Sequence, residues 1–329
     1  MNGRPLEDYG RVLVIKLGAL GDFVQALRAM AEIRRAHPKA RITLLTTPPY
    51  AELAEASGSF DAIDTGGRPQ GLGELLALFA RLRRGRYQRV YDLQTSSRSA
   101  GYLWAFAPLF PEWSGISAGA SHRHRNPRRD LMQNLDRLWD QLAAAGVVEP
   151  LPEGSAPGPD LAWAVAASDR EPRPLEERLG IKRPYALLAP GASPGRPRKR
   201  WPAQSFADLA RALEQMGLTP VVIGGPQEAE LGDAIAGAAP STVVAAGRTR
   251  LVDLAALGAR AALLVGNDTG PTYLAALAGA PTLILFSGDS NPALCAPCDD
   301  RIAVLQSDDL ADLPATQVIK AVQVLLGCA

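Results

Sequence analysis

Short apolar runs typical of β-strands alternate along this sequence with longer runs of helical periodicity. This alternation is typical of βα units around a mainly parallel sheet, so we expect an α/β protein. With 329 residues, the chain is long enough for two doubly wound, Rossmann-like domains. The predicted strands are 12–17, 41–47, 60–64, 89–94 and 113–117 in the first half, and 185–189, 219–224, 242–246, 261–265 and 281–287 in the second.

The segment between 149 and 174 is rich in proline, which favours a connection over a packed element. We therefore predict an N-terminal domain over 1–160, a linker over 161–184 and a C-terminal domain over 185–313. Apolar residues at i, i+3, i+4 spacing predict a last helix within 314–329, packed back at the domain junction. Ligands of open α/β sheets bind at the carboxyl ends of the strands, so we expect function in a cleft where the two domains face each other.

Charge and cysteine content exclude several classes of protein. Lys and Arg total 35 against 34 Asp and Glu, which argues against a protein whose whole surface is built for nucleic acid, so any anionic partner must be met by local charge. Three cysteines form no disulfide framework, no signal peptide is recognisable, and no apolar run spans a bilayer, so we expect a cytoplasmic protein. The arginines at 81, 83, 84, 86 and 89 suggest that this cytoplasmic protein also contacts anionic lipid headgroups at the inner membrane.

The loop after the first predicted strand carries glycines at Gly18 and Gly21, followed by Asp22. The spacing is wrong for a dinucleotide fingerprint, and an acid there would repel a pyrophosphate. Two interpretations of Asp22 stay open: it caps the following helix, or it is a general base for a sugar hydroxyl at the mouth of the cleft.

Three loops of the second half follow strands in the same way. The first holds Ser193 and a cationic cluster of Arg196, Arg198, Lys199 and Arg200 before a helix, which is either a solvated surface or a diphosphate site. The second holds Glu228, in a first helical turn where it complements the helix dipole or accepts ribose hydroxyls. The third holds Asp268, Thr269 and Gly270, also at the start of a helix.

Taken together, these loops resemble glycosyltransferase family 9, the ADP-heptose:lipopolysaccharide heptosyltransferases. The resemblance is carried by Lys16–Asp22, Asp92-Leu93-Gln94, Lys199-Arg200-Trp201-Pro202, Gly225-Pro226-Gln227-Glu228 and Asn267-Asp268-Thr269-Gly270-Pro271. It implies a GT-B fold and an inverting, metal-independent transfer of heptose from a nucleotide diphosphate, ADP-heptose, to an anionic inner-core lipopolysaccharide acceptor. It implies no cofactor, and we expect a monomer.

The resemblance also implies roles for individual residues. Asp22 matches the general base, Lys199 the lysine that neutralises the donor phosphates, and Glu228 the acid that holds the ribose. Asp268, Thr269 and Gly270 match the loop against the donor's sugar and phosphates, and Ser193 is expected beside them. Tyr273 stands where the family usually carries histidine, so the donor sugar itself is left open.

The acceptor is expected on the first domain. The candidate residues there are Gly18, Gly21, Gln94, Arg98, Arg123, Arg125 and Arg128. The arginines between 123 and 129 lie in a segment without acids, which either is a solvated face or grips an anionic acceptor. Trp104, Phe106 and Phe110 are expected in the core.

Other functions compete with this interpretation. A nucleotide-sugar epimerase of similar build would need no basic acceptor segment. A non-catalytic nucleotide-sugar or glycan-binding protein would not need both Asp22 and Lys199. A dehydrogenase is least favoured because no G-x-G-x-x-G follows a strand. Cys295 and Cys298 form an isolated C-x-x-C, for which we predict neither zinc nor a redox role.

Overall fold

The computed structural model describes residues 4–193 and 195–327. The chain divides into two compact units, Met1–Pro159 and Asp160–Ala329. The division falls beside the predicted end of the first domain at residue 160. Each unit is built around one parallel sheet with helices, so the predicted α/β class with two doubly wound sheets is confirmed.

The sheet of the first unit has the order β3-β2-β1-β4-β5-β6, with all pairings parallel. Its strands are β1 (Arg11–Ile15), β2 (Arg41–Leu45), β3 (Ala62–Asp64), β4 (Arg89–Asp92), β5 (Glu112–Gly115) and β6 (His122–Arg123). Its helices are α1 (Leu20–Ala36), α2 (Ala51–Ala56), α3 (Leu72–Gly85), α4 (Ser97–Gly101) and α5 (Asn134–Ala144).

The sheet of the second unit has the order β12-β11-β10-β7-β8-β9, again all parallel. Its strands are β7 (Tyr185–Ala189), β8 (Thr219–Val222), β9 (Val243–Val244), β10 (Leu263–Asn267), β11 (Thr282–Phe286) and β12 (Ile302–Gln306). Its helices are α6 (Ala162–Ser168), α7 (Leu175–Leu179), α8 (Ala203–Gln215), α9 (Ala229–Ala238), α10 (Leu251–Arg260), α11 (Gly270–Leu277), α12 (Pro292–Cys295) and α13 (Ala315–Leu325).

The central strands of both sheets are apolar on both faces. Val12, Leu13, Val14 and Ile15 are fully buried in β1, and every residue of β7 is buried. Continuous burial is expected of a parallel strand with helices over both faces, and it explains why these runs lack polar alternation. The polar residues that follow such strands are therefore brought to the carboxyl edge of each sheet.

The predicted linker over 161–184 is wrong. This segment forms α6 and α7 inside the second unit, where α6 packs on α10 and Ser168 Oγ donates to Asp253 Oδ1 at 2.7 Å. Proline does not exclude helix here because Pro174 lies at the N-cap of α7, where its missing N–H costs no helical hydrogen bond.

The predicted C-terminal helix is confirmed as α13. Val318 and Val322 enter the core of the second unit, and the helix packs on α8. Its predicted position at the domain junction stays a prediction. Within the described residues, no helix is both long enough and apolar enough to cross a membrane.

Candidate active site

Both sheets have the same topology, in which the order of the strands reverses direction once, and a ligand site is expected at that point. In the first sheet the chain runs outward from β1 through β2 to β3, then returns to pair β4 with the other side of β1. In the second sheet β7 and β10 are the corresponding neighbours. Open α/β sheets bind ligands outside the carboxyl ends of the strands at this reversal. The loops after β1, β4, β7 and β10 therefore define the candidate sites.

In the first unit the loops after β1 and β4 are joined by hydrogen bonds. Lys16 Nζ donates to the Leu93 carbonyl at 3.1 Å, and the Leu17 amide donates to Gln94 Oε1 at 2.8 Å. The predicted Gln94 thus positions the loop that leads to Asp22. Burial lowers the pKa of Lys16 to about 8, against the opposing influence of the Asp22 and Asp92 carboxylates.

Asp22 is the third residue of α1, and its side chain is exposed. Asn134 Nδ2 donates to Asp22 Oδ1 at 3.1 Å, and Asn134 Oδ1 in turn accepts from Arg137 Nη2 at 2.6 Å. Ala19 occupies the N-cap, so Asp22 is not the cap of α1. Its carboxylate complements the positive end of the helix while facing solvent, as a base for a bound hydroxyl must.

Gly18 and Gly21 have different roles. Gly18 has φ +112°, and a Cβ there would lie 2.6 Å from Tyr50 Oη, so only glycine fits beside this ring. Tyr50 stacks on Phe23 with ring centroids 4.8 Å apart. Gly21 is buried within the first turn of α1. Tyr50 therefore closes one side of the Asp22 loop, a contact that sequence reasoning missed.

A strained turn follows β4. Asp92 is fully buried, and its Oδ1 accepts from the amides of Gln94 and Thr95 at 3.1 and 3.0 Å. Thr95 has φ +47°, which is unfavourable for a β-branched residue and typical of functional sites when it occurs. Burial raises the pKa of Asp92 to about 6. Arg98, the predicted acceptor contact, lies exposed on α4 just beyond.

The basic segment from 122 to 129 is not a solvated loop without acids. His122 and Arg123 form β6 on the edge of the sheet. His122 and His124 contact Glu112 and Asp140 at 2.9 and 2.6 Å. Sequence inspection missed these partners because the acids come from elsewhere in the first unit.

The arginines of this segment differ in their contacts. Arg128 forms an ion pair with Glu153 at 2.9 Å, while Arg123 and Arg125 are exposed. In the described parts of the chain, no hydrogen bond or ion pair joins these three arginines to Asp22. Their role in acceptor binding stays a prediction.

In the second unit the loops after β7 and β10 meet through a buried ion pair. Lys199 ends a 3-10 turn, Pro197–Lys199, and its Nζ lies 2.6 Å from Asp268 Oδ2. Tyr273 Oη donates to Asp268 Oδ1 at 2.5 Å, so both carboxylate oxygens have a donor. The structure thus brings together three of the predicted donor-binding residues and shows that the charge of Lys199 is already compensated.

Asn267 connects the same two loops through its amide. Its Nδ2 donates to the Pro190 carbonyl at 2.8 Å, and its Oδ1 accepts from the Trp201 amide at 3.3 Å. Thr269 is the N-cap of α11 without a side-chain cap bond, and Gly270 is the first residue of the helix. Asn267 therefore fixes the 190–201 loop against the N-terminus of α11.

Glu228 lies close against two glycines. A Cβ at Gly191 or at Gly224 would come within 2.9 Å of its side chain, so both positions have to be glycine for the acid to reach this place. Glu228 Oε2 accepts from the Gly225 amide at 2.7 Å, and the side chain is half-buried. It thus lies beside the loop after β7, which also holds the exposed Ser193.

The cationic cluster before α8 does not act as four equivalent charges. Arg198 donates to the Asp308 carbonyl at 2.7 Å and lies 3.4 Å from Asp289 Oδ1, while Lys199 is buried. Arg196 and Arg200 are exposed. Two of the four cations have acidic or carbonyl partners from elsewhere in the second unit, and whether the cluster is a solvated surface or a diphosphate site stays open.

No group of three or more His, Cys, Asp or Glu side chains that could hold a metal ion occurs in 4–193 and 195–327. Cys295 is half-buried and Cys298 is exposed.

Comparison with known proteins places these loops in context. The chain matches the family model of glycosyltransferase family 9 (heptosyltransferase) over residues 75–323. Lipopolysaccharide heptosyltransferase 2 of Escherichia coli (strain K12) is 27% identical over 321 residues, covering 90% of this chain and 88% of that protein.

Solved structures share the fold. The glycosyltransferase family 9 protein of Veillonella parvula DSM 2008 superposes with a TM-score of 0.80 at 21% identity, covering 100% of both chains. The ADP-heptose lipopolysaccharide heptosyltransferase II of E. coli gives 0.75 at 21% identity, covering 96% and 98%. Since the family match includes the loops after β4, β7 and β10, the chain belongs to glycosyltransferase family 9 and is a glycosyltransferase.

Proposed function

We propose that this enzyme transfers heptose from ADP-heptose to an inner-core lipopolysaccharide acceptor, with inversion at the anomeric carbon and without a metal ion. The names of similar proteins support the substrate classes: lipopolysaccharide heptosyltransferase 2 and ADP-heptose lipopolysaccharide heptosyltransferase II. The acceptor is assigned to the first unit and the donor to the second. An epimerase or a non-catalytic binding protein is not favoured, because the chain belongs to a family of transferases.

The observation that carries the proposal is the exposed carboxylate of Asp22, held by Asn134 at the carboxyl edge of the first sheet. In the proposed step, Asp22 takes the proton of the acceptor hydroxyl as its oxygen bonds to the anomeric carbon of heptose. The bond from that carbon to the diphosphate oxygen breaks, and its electron pair leaves with ADP. Attack opposite to the leaving group inverts the anomeric configuration.

The second unit provides the charge that this leaving group requires. A departing diphosphate gains negative charge, which Lys199 and the N-terminus of α11 are suited to stabilise. Because Lys199 Nζ lies 2.6 Å from Asp268 Oδ2, phosphate binding requires Lys199 either to leave this carboxylate or to contact both groups. Glu228 is proposed to accept the ribose hydroxyls, and Ser193, Thr269, Gly270 and Tyr273 to line the donor.

Activity is tested by mixing the enzyme with ADP-heptose and a deacylated core acceptor, and measuring ADP release together with the mass of the product. Asp22→Asn should abolish release beyond the background of donor hydrolysis, because amide nitrogen and oxygen do not accept the hydroxyl proton. Asp8→Asn is the matched control: Asp8 is an exposed aspartate that precedes β1, at the opposite edge of the sheet. Undiminished transfer by Asp22→Asn would remove the general-base role.

Donor binding is tested separately by calorimetry with ADP. Lys199→Ala should bind ADP at least about ten-fold more weakly, because a charge-assisted contact is lost. Lys182→Ala is the control, since Lys182 is exposed and precedes β7. Equal affinities of the wild type and Lys199→Ala would exclude the phosphate role.

Two further measurements address the remaining parts of the proposal. NMR of the product should report an anomeric configuration opposite to that of the donor. Activity that persists after exhaustive treatment with a chelator would support a metal-independent reaction, whereas restoration by a divalent cation would overturn it. We propose a cytoplasmic location, with peripheral contact at the inner membrane, and a monomeric state, which sedimentation tests.

A further inference from the structure

Large apolar side chains are exposed together in the first unit, on α3 and on the segment that follows α4. Trp104, Leu109 and Phe110 are 65%, 87% and 47% exposed, although Trp104 and Phe110 were expected in the core. Only Phe106 of the three predicted aromatic core residues is buried. Leu72 and Leu76 are exposed on α3, which packs against the 3-10 turn Tyr102–Phe106.

This surface is held in place from beneath. Arg83, near the end of α3, donates through its guanidinium to the Ala105 and Ala107 carbonyls at 2.5 and 3.5 Å. The rings of Trp104 and Phe110 meet edge to face with centroids 5.8 Å apart. The exposed aromatic pair is thus held in a defined position at the surface, by the contact between the two rings and by the hydrogen bonds from Arg83 to the same segment.

Cations lie directly beside these apolar groups. Arg83, Arg84 and Arg86 are exposed at the end of α3, and Arg83 and Arg86 line a surface pocket of about 560 Å³ together with Pro108 and Leu109. No carboxylate lines this pocket. Arg84 and Arg86 have no acidic partner in the described part of the chain.

The other arginines of this run point elsewhere. Arg81 pairs with Asp64 at 2.9 Å, and Arg89 is buried against Glu112 at 2.7 Å. The expectation that all five arginines between 81 and 89 face a common anionic partner is therefore corrected. Of the remaining three, Arg83 and Arg86 line the pocket with Leu109, and Arg84 is exposed next to Arg83 near the end of α3.

We propose that Trp104, Leu109 and Phe110 with Arg83, Arg84 and Arg86 form a docking surface for an anionic phospholipid bilayer. Tryptophan and other apolar side chains enter the boundary between headgroups and acyl chains, while arginines at the same level attract anionic headgroups. A protein partner would need acids opposite the arginines, whereas a lipid surface supplies both the negative charge and the apolar layer. The bilayer therefore satisfies both halves of the surface at once.

This inference deepens the membrane contact included in the proposed function, and it is measured without donor or acceptor, so its failure leaves the transfer reaction untouched. The probe is co-sedimentation of the whole protein with vesicles of phosphatidylethanolamine and phosphatidylglycerol, compared with phosphatidylcholine vesicles. The wild type should bind the anionic vesicles, more weakly as salt is raised, and the phosphatidylcholine vesicles poorly.

Two variants separate the two halves of the surface. Arg84→Gln with Arg86→Gln should weaken binding about ten-fold or more, since each cation contributes to attraction by the surface potential. Leu109→Gln with Phe110→Gln should weaken it comparably, because the inserted apolar area is lost. Lys39→Gln and Leu131→Gln are the controls, as both residues are exposed in the same unit and neither lines the pocket of Arg83, Arg86, Pro108 and Leu109.

Trp104 gives an independent readout. Its emission should shift to shorter wavelength on vesicle binding, and Trp104→Phe should remove most of that shift while the buried Trp113 and Trp201 remain. Equal binding of anionic and zwitterionic vesicles, or of the wild type and the arginine variant, would overturn the proposal. So would a dimer in solution that the Leu109 and Phe110 substitutions abolish, because a second copy would then be the occupant.

Discussion

Lys199 and Asp268 form a buried ion pair, with Nζ 2.6 Å from Oδ2. The pair joins the loops that follow β7 and β10, the two central strands of the second sheet. Each side chain is 8% exposed, so each charge depends on its partner rather than on water for compensation. The pair therefore has two functions to be separated: it holds the loops after β7 and β10 together, and it places the cation proposed to meet the donor phosphates.

Breaking the pair should cost stability as well as binding. Lys199→Ala leaves Asp268 buried with only the Tyr273 hydroxyl among the donors described above, and we expect a loss of about 3 kcal/mol in the free energy of unfolding. Urea unfolding monitored by circular dichroism measures this loss, with Lys182→Ala expected within about 0.5 kcal/mol of the wild type.

A double variant distinguishes the two functions. Lys199→Met with Asp268→Leu removes both charges and fills a similar volume, so most of the lost stability should return. ADP binding should not return with it, because the cation is absent. Restored ADP affinity in this variant would mean that the lysine acts only on the structure of the loops.

Tyr273 is the second donor to Asp268, at 2.5 Å, and stands where the family resemblance leads us to expect histidine. Tyr273→Phe removes this donor from a buried carboxylate and should cost about 1–3 kcal/mol of stability. Tyr273→His should lose less, because an imidazole N–H can donate in its place. Thermal unfolding of the three proteins tests this order, and a Phe variant as stable as the wild type would contradict it.

Asn134 is expected to position Asp22 without touching substrate. Asn134→Ala should lower kcat while leaving the KM for the donor nearly unchanged, because the carboxylate loses the contact that orients it. Asn134→Asp places a second carboxylate beside Asp22 and should move the acid limb of the pH–rate profile to higher pH. A merely structural asparagine would alter stability in both variants and leave the profile where it was.

Local sequence was sufficient for the central strands. The predicted strand 185–189 agrees with β7 residue by residue. Its apolar run lies between Pro184 and Pro190, and a short run of this kind is typical of a strand buried on both faces. β6 and β12 lie at sheet edges and have no counterpart among the predicted strands. β6 consists of His122 and Arg123, so no apolar pattern marks it, whereas the apolar run 302–305 of β12 is visible in the sequence.

The contacts of the candidate site could not be read from local sequence. Lys199 and Asp268 meet because β7 and β10 are neighbours, and Asn134 reaches Asp22 across 112 residues of chain. Charge runs were misleading for the same reason: the partners of Arg89, His124 and Arg128 lie on other elements. Motifs located the loops, whereas topology determined which side chains in them meet.

His37 should make the stability of the first unit depend on pH. It is fully buried, with Nδ1 2.5 Å from the Leu6 carbonyl and Nε2 2.7 Å from Tyr91 Oη, so in the neutral ring Nδ1–H donates to the carbonyl and the hydroxyl donates to Nε2. Burial lowers the pKa of His37 to about 4, against about 6.5 in the unfolded chain. Between these values the unfolded chain binds a proton that the folded chain does not. The contribution of His37 to the free energy of unfolding is therefore fully present above pH 6.5 and falls as the pH drops towards 4. Urea unfolding across this range should show a slope that His37→Gln reduces; the lowered pKa of His124 adds to this slope, and the raised pKa of Asp92 opposes it. An unchanged slope in His37→Gln would assign the pH dependence to these other groups.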